Sequence, residues 1–265
     1  MPMQRVKQWA RKIFQGRRQP PVAAAAEPSP APVGEFERVQ RNWEAFGKYD
    51  PLWAIVSAPG KQGNRWDIDE FFASGTKEVQ RMLDTLAAEG LSVRRGRALD
   101  FGAGVGRLSQ ALAGHFAEVD GIDISMPMLE QARKYNRFGE RVRYHLGTAE
   151  RLPFDDGVFD LVYSKIVLQH VGVELQRGYV REFLRVVKPG GLVAFQAVAR
   201  TIAVPGTHFE SPIETPGGTF TIDMNVFPRD DVERTIASAG GRLLRALPDQ
   251  SAGDRFESAF YVATR

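Results

Sequence analysis

The segment Asp100-Phe-Gly-Ala-Gly-Val-Gly106 has the residue types of a ligand-binding turn. An acid near the end of a short apolar run is followed by Gly102, Gly104 and Gly106. Glycine adopts backbone conformations closed to other residues and leaves no Cβ between the chain and a ligand. The pattern therefore predicts a buried parallel strand, then a loop that touches a ligand, then a helix.

A second acid, Asp123, follows Asp100 by 23 residues and ends the next predicted strand. The carboxyl ends of neighbouring parallel strands lie side by side, and a carboxylate there can accept hydrogen bonds from both hydroxyls of a ribose. The dinucleotide fingerprint needs glycine at position 107, where this chain has Arg107. The loop is also not followed by the Lys-Ser/Thr pair that binds a triphosphate. The sequence therefore indicates a ribose-containing ligand of another kind.

Apolar runs alternate with helical patterns through the middle of the chain. Strands are predicted near 97–101, 118–122, 141–145, 158–163 and 191–198, with helices near 106–115, 126–136 and 174–186. A helix near 229–239 and an antiparallel pair of strands near 241–246 and 257–263 come last. This order predicts an α/β fold, a doubly wound, Rossmann-like sheet of seven mostly parallel strands with an antiparallel C-terminal strand.

The N-terminal part divides into three segments. Residues 1–18 are predicted to form a basic amphipathic helix. The first 20 residues hold six Lys or Arg and no acid, so the rest of the chain has a net charge of −3. The Pro/Ala-rich segment 19–34 predicts a disordered linker. The aromatic-rich segment 35–75 is predicted to be a helical cap that excludes water from the site, with ordinary core as the alternative. Its helical patterns lie near 36–48 and 67–73, and a separate helix is predicted near 76–90.

Composition excludes several classes of function. Without cysteine the chain has no disulfide, thiolate metal site or cysteine nucleophile, and we predict no metal. Lys and Arg do not cluster in the body of the chain, so no nucleic-acid partner is expected. No apolar run approaches the ~20 residues of a membrane span, and no secretory signal opens the chain, so we expect a cytoplasmic protein. Residues 1–18 are a candidate for peripheral attachment to the inner membrane surface or to a protein partner.

Five motifs occur in an order that is characteristic of one family. They are Asp100-Phe-Gly-Ala-Gly-Val-Gly106, Gly121-Ile-Asp-Ile-Ser125, Ala149-Glu-Arg-Leu-Pro-Phe154, Phe159-Asp-Leu-Val-Tyr-Ser164 and Val187-Lys-Pro-Gly-Gly191. The chain resembles class I S-adenosylmethionine-dependent methyltransferases, in the small-molecule branch similar to ubiquinone-biosynthesis (type 11) methyltransferases. The resemblance covers about residues 95–198. It implies a methyltransferase domain over 35–265, in which 35–75 and a 199–227 insertion lie outside the motifs.

The resemblance also implies S-adenosyl-L-methionine as the cofactor and assigns residues to its methionine and ribose parts. Gly102, Gly104 and Gly106 would let the backbone approach both parts. Asp100 would lie near the amino group of the cofactor, directly or through a water molecule, and Asp123 would bind the ribose hydroxyls.

Other positions would contact the adenine and the reacting methyl group. Ile124 would lie against the adenine face, and Thr148 and Ala149 would flank its edge. The family often has Asp where Thr148 stands, so Glu150 is an alternative partner for the adenine amino group. Ser164 and Lys165, which end the fourth strand, would line the side on which methyl transfer occurs.

The implied reaction is in-line attack on the sulfonium methyl group by an O, N or C atom of the acceptor. His170 is the candidate general base because it follows the fourth strand into the site; the alternative is a structural histidine bonded to the backbone. Cytosine-C5 and typical arsenic methylation need a cysteine and are excluded, which leaves small-molecule, sugar or lipid-linked acceptors. A non-catalytic cofactor-binding or scaffolding protein is the alternative function.

Overall fold

The computed structural model describes residues 34–148, 151–202, 206 and 208–265. The predicted basic helix over 1–18, nearly all of the predicted linker over 19–34, and the site residues Ala149 and Glu150 therefore lie outside the described residues.

A seven-stranded sheet forms the centre of the described chain, in the order β3-β2-β1-β4-β5-β9-β8. The five strands β1 to β5 pair in parallel, whereas β9 runs antiparallel to both of its neighbours, β5 and β8. The predicted α/β sheet with an antiparallel C-terminal strand is confirmed. The bounds of the seven strands are β1 Arg97–Phe101, β2 Glu118–Asp123, β3 Val142–Leu146, β4 Phe159–Ser164, β5 Val187–Thr201, β8 Arg242–Asp249 and β9 Phe256–Thr264.

Helices cover the sheet, so its central strands are buried on both faces. The alternation of side chains along β1 places Leu99 and Phe101 in one apolar cluster and Ala98 in another. The helices are α1 Gly34–Tyr49, α2 Pro51–Ile55, α3 Ile68–Ala88, α4 Arg107–Ala113, α5 Met126–Tyr135, α6 Val173–Val186 and α7 Arg229–Ser238. Short 3₁₀ turns occupy Gly139–Arg141 and Leu168–His170. Among the described residues, no helix combines the length and the apolar character that crossing a bilayer would need.

The helix α3 is continuous where the sequence predicts two separate helical segments, so the predicted break near 74–75 is wrong. The Asp67 side chain caps its first turn by accepting a hydrogen bond from the Glu70 amide, at 2.8 Å. Gly75 lies within the helix, and a Cβ added there would stand 2.5 Å from the carbonyl oxygen of Arg107. Glycine is therefore used here for close packing of α3 against α4 and not as a helix terminator.

The 199–227 insertion contains a second, two-stranded sheet, β6 His208–Thr215 paired antiparallel with β7 Gly218–Asn225. This hairpin contacts α1: Asn42 Nδ2 donates to the Thr221 carbonyl oxygen at 2.9 Å, and the rings of Phe46 and Phe220 meet edge to face. The proline and glycine content of the segment indicates a break in the α/β alternation, but it does not predict these two strands.

Candidate functional site

A cavity opens at the carboxyl ends of β1, β2 and β4, where the two acids were expected to meet. It measures about 1030 Å³ including its open mouth. Residues that line the cavity include Trp43, Ile55, Gly102, Gly104, Arg107, Asp123, Ile124, Thr148, Leu152, Lys165, Ile166, Val167, His170 and Tyr179.

The glycine loop takes left-handed backbone conformations, with φ of +80° at Gly102 and +52° at Gly104. A Cβ at Gly102 would stand 2.3 Å from a methyl group of Val167, and one at Gly104 would stand 2.6 Å from Ile55 Cδ1. Both glycines therefore let neighbouring side chains close on the loop, and both also line the cavity. Gly106 lies beside the ring of Tyr144 and is not part of the cavity wall.

Asp123 ends β2 on the cavity wall, and its two carboxylate oxygens are held by the backbone. Oδ2 accepts a hydrogen bond from the Gly104 amide and Oδ1 from the Ser125 amide, each at 2.8 Å. Burial raises the pKa of this carboxyl above its ordinary value, while those amides and the Ile124 amide oppose the change. Each oxygen keeps further capacity to accept a hydrogen bond, so the group can bind two hydroxyls while it orients the glycine loop.

Asp100 lies behind the loop and does not line the cavity. It is 1% exposed, and Ser109 Oγ donates to its Oδ2 at 2.6 Å. Its Oδ1 has no hydrogen-bond partner among the described residues. Burial raises the pKa of this carboxyl to about 6, although Ser109 and Arg107 favour the charged form. The side chain is therefore bonded to the helix α4 that follows the loop and does not face the cavity.

The expected adenine end of the cavity has an apolar wall. Ile124 and Leu152 line it, together with Thr148, whose hydroxyl donates to the Arg151 carbonyl oxygen at 3.4 Å. Tyr179 OH donates to the Thr148 carbonyl oxygen at 3.3 Å. The predicted contacts of Ala149 and Glu150 fall outside the described residues.

The residues that follow β4 form another part of the cavity wall. In the sheet, β4 lies on one side of β1, and β2, which ends at Asp123, lies on the other. Ser164 is buried behind the wall, and its Oγ has no partner within the described residues. Lys165 lines the cavity with its ammonium 2.5 Å from Asp249 Oδ2 and 3.9 Å from Glu78 Oε1. Ile166 has φ of +58°, a strained conformation for a β-branched residue. Such strain is characteristic of segments whose position a site requires.

His170 lies on the cavity wall and is also bonded to the backbone. Its Nδ1 lies 2.7 Å from the carbonyl oxygen of Asp223, which can only accept, so Nδ1 carries the proton. The lone pair is then on Nε2, which accepts a hydrogen bond from Gln169 Nε2 at 3.3 Å. Burial lowers the pKa of this imidazole to about 4, so it is neutral at neutral pH. The ring also lies 5.4 Å from that of Trp43.

Some wall residues were not among the site residues expected from the sequence. Trp43 and Ile55 come from the aromatic-rich segment, where aromatic density signalled burial but not which side chains face a ligand. In the sequence, Arg107 serves only to rule out a dinucleotide fingerprint. Its position directly after the third glycine of the loop is a usable signal, because it begins the helix that follows that loop.

Comparison with known proteins identifies relatives over this region and beyond. A family profile described as "Methyltransferase domain" matches residues 99–195. The chain is 40% identical over 102 residues to a malonyl-[acyl-carrier protein] O-methyltransferase of Salmonella typhimurium, covering 38% of this chain and 39% of that protein. It is 32% identical over 219 residues to the ubiquinone biosynthesis O-methyltransferase of Chelativorans sp., covering 78% of this chain and 80% of that protein.

A solved structure supports the same fold. Magnesium protoporphyrin IX methyltransferase (ChlM) from Synechocystis superposes with a TM-score of 0.57 over 86% of this chain and 98% of that chain. At 18% identity, this likeness concerns the fold alone.

Proposed function

Because this chain belongs to the class I S-adenosylmethionine-dependent methyltransferases, we propose that it transfers the cofactor's methyl group to an oxygen atom of a small molecule. The cofactor is S-adenosylmethionine, which supplies an electrophilic methyl group on a sulfonium centre. The observation that carries the proposal is the placement of Asp123 on the cavity wall, bonded to the glycine loop through Gly104.

The residues present fit this cofactor. Asp123 would accept hydrogen bonds from the ribose hydroxyls, and the apolar Ile124 would lie against the adenine face. Thr148 would flank the adenine edge. The backbone at Gly102 and Gly104 would face the remainder of the molecule. These roles are supported by the presence of all five residues in the lining of one cavity.

Catalysis by this chain would rest mainly on alignment, since the group that leaves is neutral. Residues such as Trp43 and Ile55 narrow the cavity from the side of α1 and α2, which favours a fixed approach of the acceptor and excludes water. His170 Nε2 would accept the hydrogen bond of an attacking hydroxyl group in place of the one from the Gln169 amide. With a pKa of about 4 it is a weak base, so it suits a hydroxyl group that ionises easily, whereas a carboxylate acceptor has no proton to give up and needs no base.

Oxygen is the favoured acceptor atom because both relatives described above are named as O-methyltransferases. A carboxylate, as in the malonyl group named for the first relative, needs no strong base. Sugar and lipid-linked acceptors remain within the proposal, since residues 208–225 place a hairpin next to the cavity whose sequence no motif explains.

The test is calorimetric titration of the chain with S-adenosylmethionine, S-adenosylhomocysteine and NAD, followed by an assay for S-adenosylhomocysteine release. The acceptor panel contains a malonyl thioester, a hydroxylated ubiquinone precursor, a sugar and a lipid-linked sugar. We expect both sulfur-containing ligands to bind, and Asp123→Ala to weaken them at least tenfold, about 1.4 kcal/mol. The exposed Asp69→Ala is the control. Tight binding of NAD alone would overturn the proposal, and binding without turnover on any acceptor would favour a scaffolding protein.

We also propose that residues 1–18 attach the protein to an anionic membrane surface. The support is their sequence pattern: they hold six cations and no acid, and over 3–15 the cations lie opposite an apolar stripe of Val6, Trp9, Ala10, Ile13 and Phe14. Sedimentation with anionic liposomes would compare the full chain with one that starts at Gly34. Equal pelleting of the two would exclude the membrane and favour a protein partner.

A further inference from the structure

Arg107 is a largely buried cation on the cavity wall whose guanidinium group is only partly used. It forms no ion pair within the described part of the chain, and its Nε has no hydrogen-bond partner there. One contact is long: Nη1 donates to Ser74 Oγ at 3.4 Å. A buried charge without a partner is costly, so a site that keeps one usually pairs it with a ligand.

The neighbouring charged residues do not supply Arg107 with a direct ion-pair partner. Glu78 and Asp100 both act on Arg107 and favour its charged form, yet burial dominates and lowers the pKa of the guanidinium. Lys165, the other cation on the wall, already has partners: Asp249 accepts from it directly, and Glu78 lies 3.9 Å from it. Asp249 is in turn held by Ser251 and Ser258. Arg107 is therefore the cation on the described wall that has unused hydrogen-bond donors and no anionic partner.

We propose that the Arg107 guanidinium binds the carboxylate of the cofactor's methionine part. This inference rests on the function proposed above and adds a ligand contact that the five motifs do not assign. S-adenosylmethionine carries one anionic group, its carboxylate, at the end of the molecule opposite the adenine. Arg107 begins α4 directly after the loop that Asp123 holds through Gly104, so a ligand bound at Asp123 extends along the loop toward it.

The chemistry of the two partners matches. Guanidinium presents its N–H donors in a planar fork that fits a carboxylate with two parallel hydrogen bonds, and burial strengthens such a pair. Gly75 supports the arrangement from the other side, because its missing side chain leaves room for the Arg107 backbone and Cγ under α3. The arginine is thereby held at the wall before any ligand arrives.

The experiment measures by calorimetry the affinity of the parent chain and of three variants for a set of ligands. Arg107→Met removes the charge at similar length, and Arg107→Lys keeps the charge without the fork. Arg81→Met is the matched control, since it removes a nearby cation on α3 whose side chain is 70% exposed. The ligands are S-adenosylhomocysteine, S-adenosylmethionine, decarboxylated S-adenosylmethionine and 5′-methylthioadenosine, which lacks the whole amino acid part.

We expect Arg107→Met to weaken S-adenosylhomocysteine at least tenfold, with a smaller loss for Arg107→Lys. Neither variant should change 5′-methylthioadenosine binding by more than twofold, and this ligand also reports that each variant is folded. Arg81→Met should bind all ligands like the parent chain. Decarboxylated S-adenosylmethionine should bind the parent chain and Arg107→Met alike.

Three results would overturn the inference. The first is an equal loss for S-adenosylhomocysteine and 5′-methylthioadenosine, which would make Arg107 a structural residue. The second is unchanged S-adenosylhomocysteine binding with a raised KM for an acidic acceptor, which would assign the cation to the acceptor instead. The third is equal binding of decarboxylated and intact S-adenosylmethionine to the parent chain, a test that needs no variant to fold. Failure of the parent chain to bind any of these ligands would instead remove the proposed function itself.

Discussion

Arg38 in α1 donates to both carboxylate oxygens of Asp223 in β7, at 3.1 and 2.8 Å, although 185 residues separate them. The Asp223 side chain is 2% exposed, and its backbone carbonyl oxygen accepts the hydrogen bond from His170. One residue of the hairpin, Asp223, thus connects α1 to His170 on the cavity wall. The two segments that the sequence motifs leave unexplained form one structural unit beside the site.

This connection predicts that Arg38→Met loosens the unit. Among the described residues, loss of the cation leaves a buried carboxylate with only His208 Nε2 near it, at 3.9 Å from Oδ1. Removing one partner of a fully buried pair costs about 3–5 kcal/mol. Because Arg38 is 38% exposed and solvent screens the pair, we expect about 1–3 kcal/mol. Hydrogen exchange should rise over 34–55 and 218–225, and denaturant unfolding should give the free energy.

Arg38→Met combined with Asp223→Asn is the control for this prediction. The double variant should recover part of the loss, since it removes the unpaired charge. If hydrogen exchange in α1 stays at the parent level in Arg38→Met, the ion pair does not hold the two segments together.

The geometry of His170 predicts how turnover depends on pH. Its pKa of about 4 keeps the imidazole neutral from pH 8 down to about pH 5, so turnover should show no inflection near the ordinary histidine value of 6.5. Turnover should fall only as pH falls through about 4 to 5, when Nε2 takes up a proton. His170→Ala should lower kcat more than it weakens cofactor binding.

A glutamine at this position separates chemistry from positioning. His170→Gln retains an N–H group to donate to the Asp223 carbonyl oxygen but has no basic nitrogen. A variant with parent turnover would show that His170 serves only to position the hairpin.

Two buried aspartates on neighbouring strands predict opposite effects of pH on stability. In Asp100, burial raises the pKa to about 6 from 3.8, so the native state binds a proton that the unfolded state releases. The free energy of unfolding therefore falls as pH rises from about 4 to 6, by roughly 3 kcal/mol for this group. Asp100→Asn lacks this titration, and its stability relative to the parent should rise by that amount between pH 4 and pH 7.

Asp120 in β2 provides the contrast. Burial alone would raise its pKa, but hydrogen bonds from His145, Arg97 and Arg143 outweigh burial and lower it. Its stabilising contribution is present at neutral pH and is lost as pH falls, so Asp120→Asn should be most destabilising near pH 7. Urea unfolding at several pH values checks both variants. If the difference in unfolding free energy between Asp100→Asn and the parent chain does not change with pH, the raised pKa of Asp100 is contradicted.

The sheet and the position of its site could be predicted because both depend on local patterns. A buried strand, a glycine turn and an acid at the end of the next strand all lie within about 25 residues of one another. Parallel pairing then places Asp100 beside Gly121 and Phe101 beside Ile122. The hairpin of 208–225 depends instead on contacts distant in sequence, such as Asn42 with Thr221. No periodicity in the sequence encodes such a contact.

The same difference applies to single residues. The spacing of Asp100 from the glycines identifies the loop, but only the structure shows that Ser109 draws its carboxylate behind that loop. Arg107 could be located from the sequence, yet its unpartnered Nε depends on the burial that α3 imposes. Residue type and spacing thus predict the location of a site better than the direction of each side chain.

Two helical glycines with opposite surroundings test whether α3 packs on Arg107 as described. A Cβ at Gly75 would meet the Arg107 carbonyl oxygen at 2.5 Å, so Gly75→Ala must push α3 away from α4, and overpacking of this kind typically costs about 1–3 kcal/mol. Gly178 in α6 has no atom within 4 Å of an added Cβ. Gly178→Ala should therefore stabilise the protein by about 0.5–1 kcal/mol, the helix preference of alanine over glycine.

Thermal and urea unfolding of the two variants measure the difference, which should be at least about 1.5 kcal/mol if both effects hold. Gly75→Ala should also weaken S-adenosylhomocysteine, because the displaced backbone belongs to the residue proposed to bind its carboxylate. Gly178→Ala should leave that affinity unchanged. Equal stabilisation by both alanines would mean that α3 does not press on the start of α4, and the support for Arg107 from Gly75 would be lost.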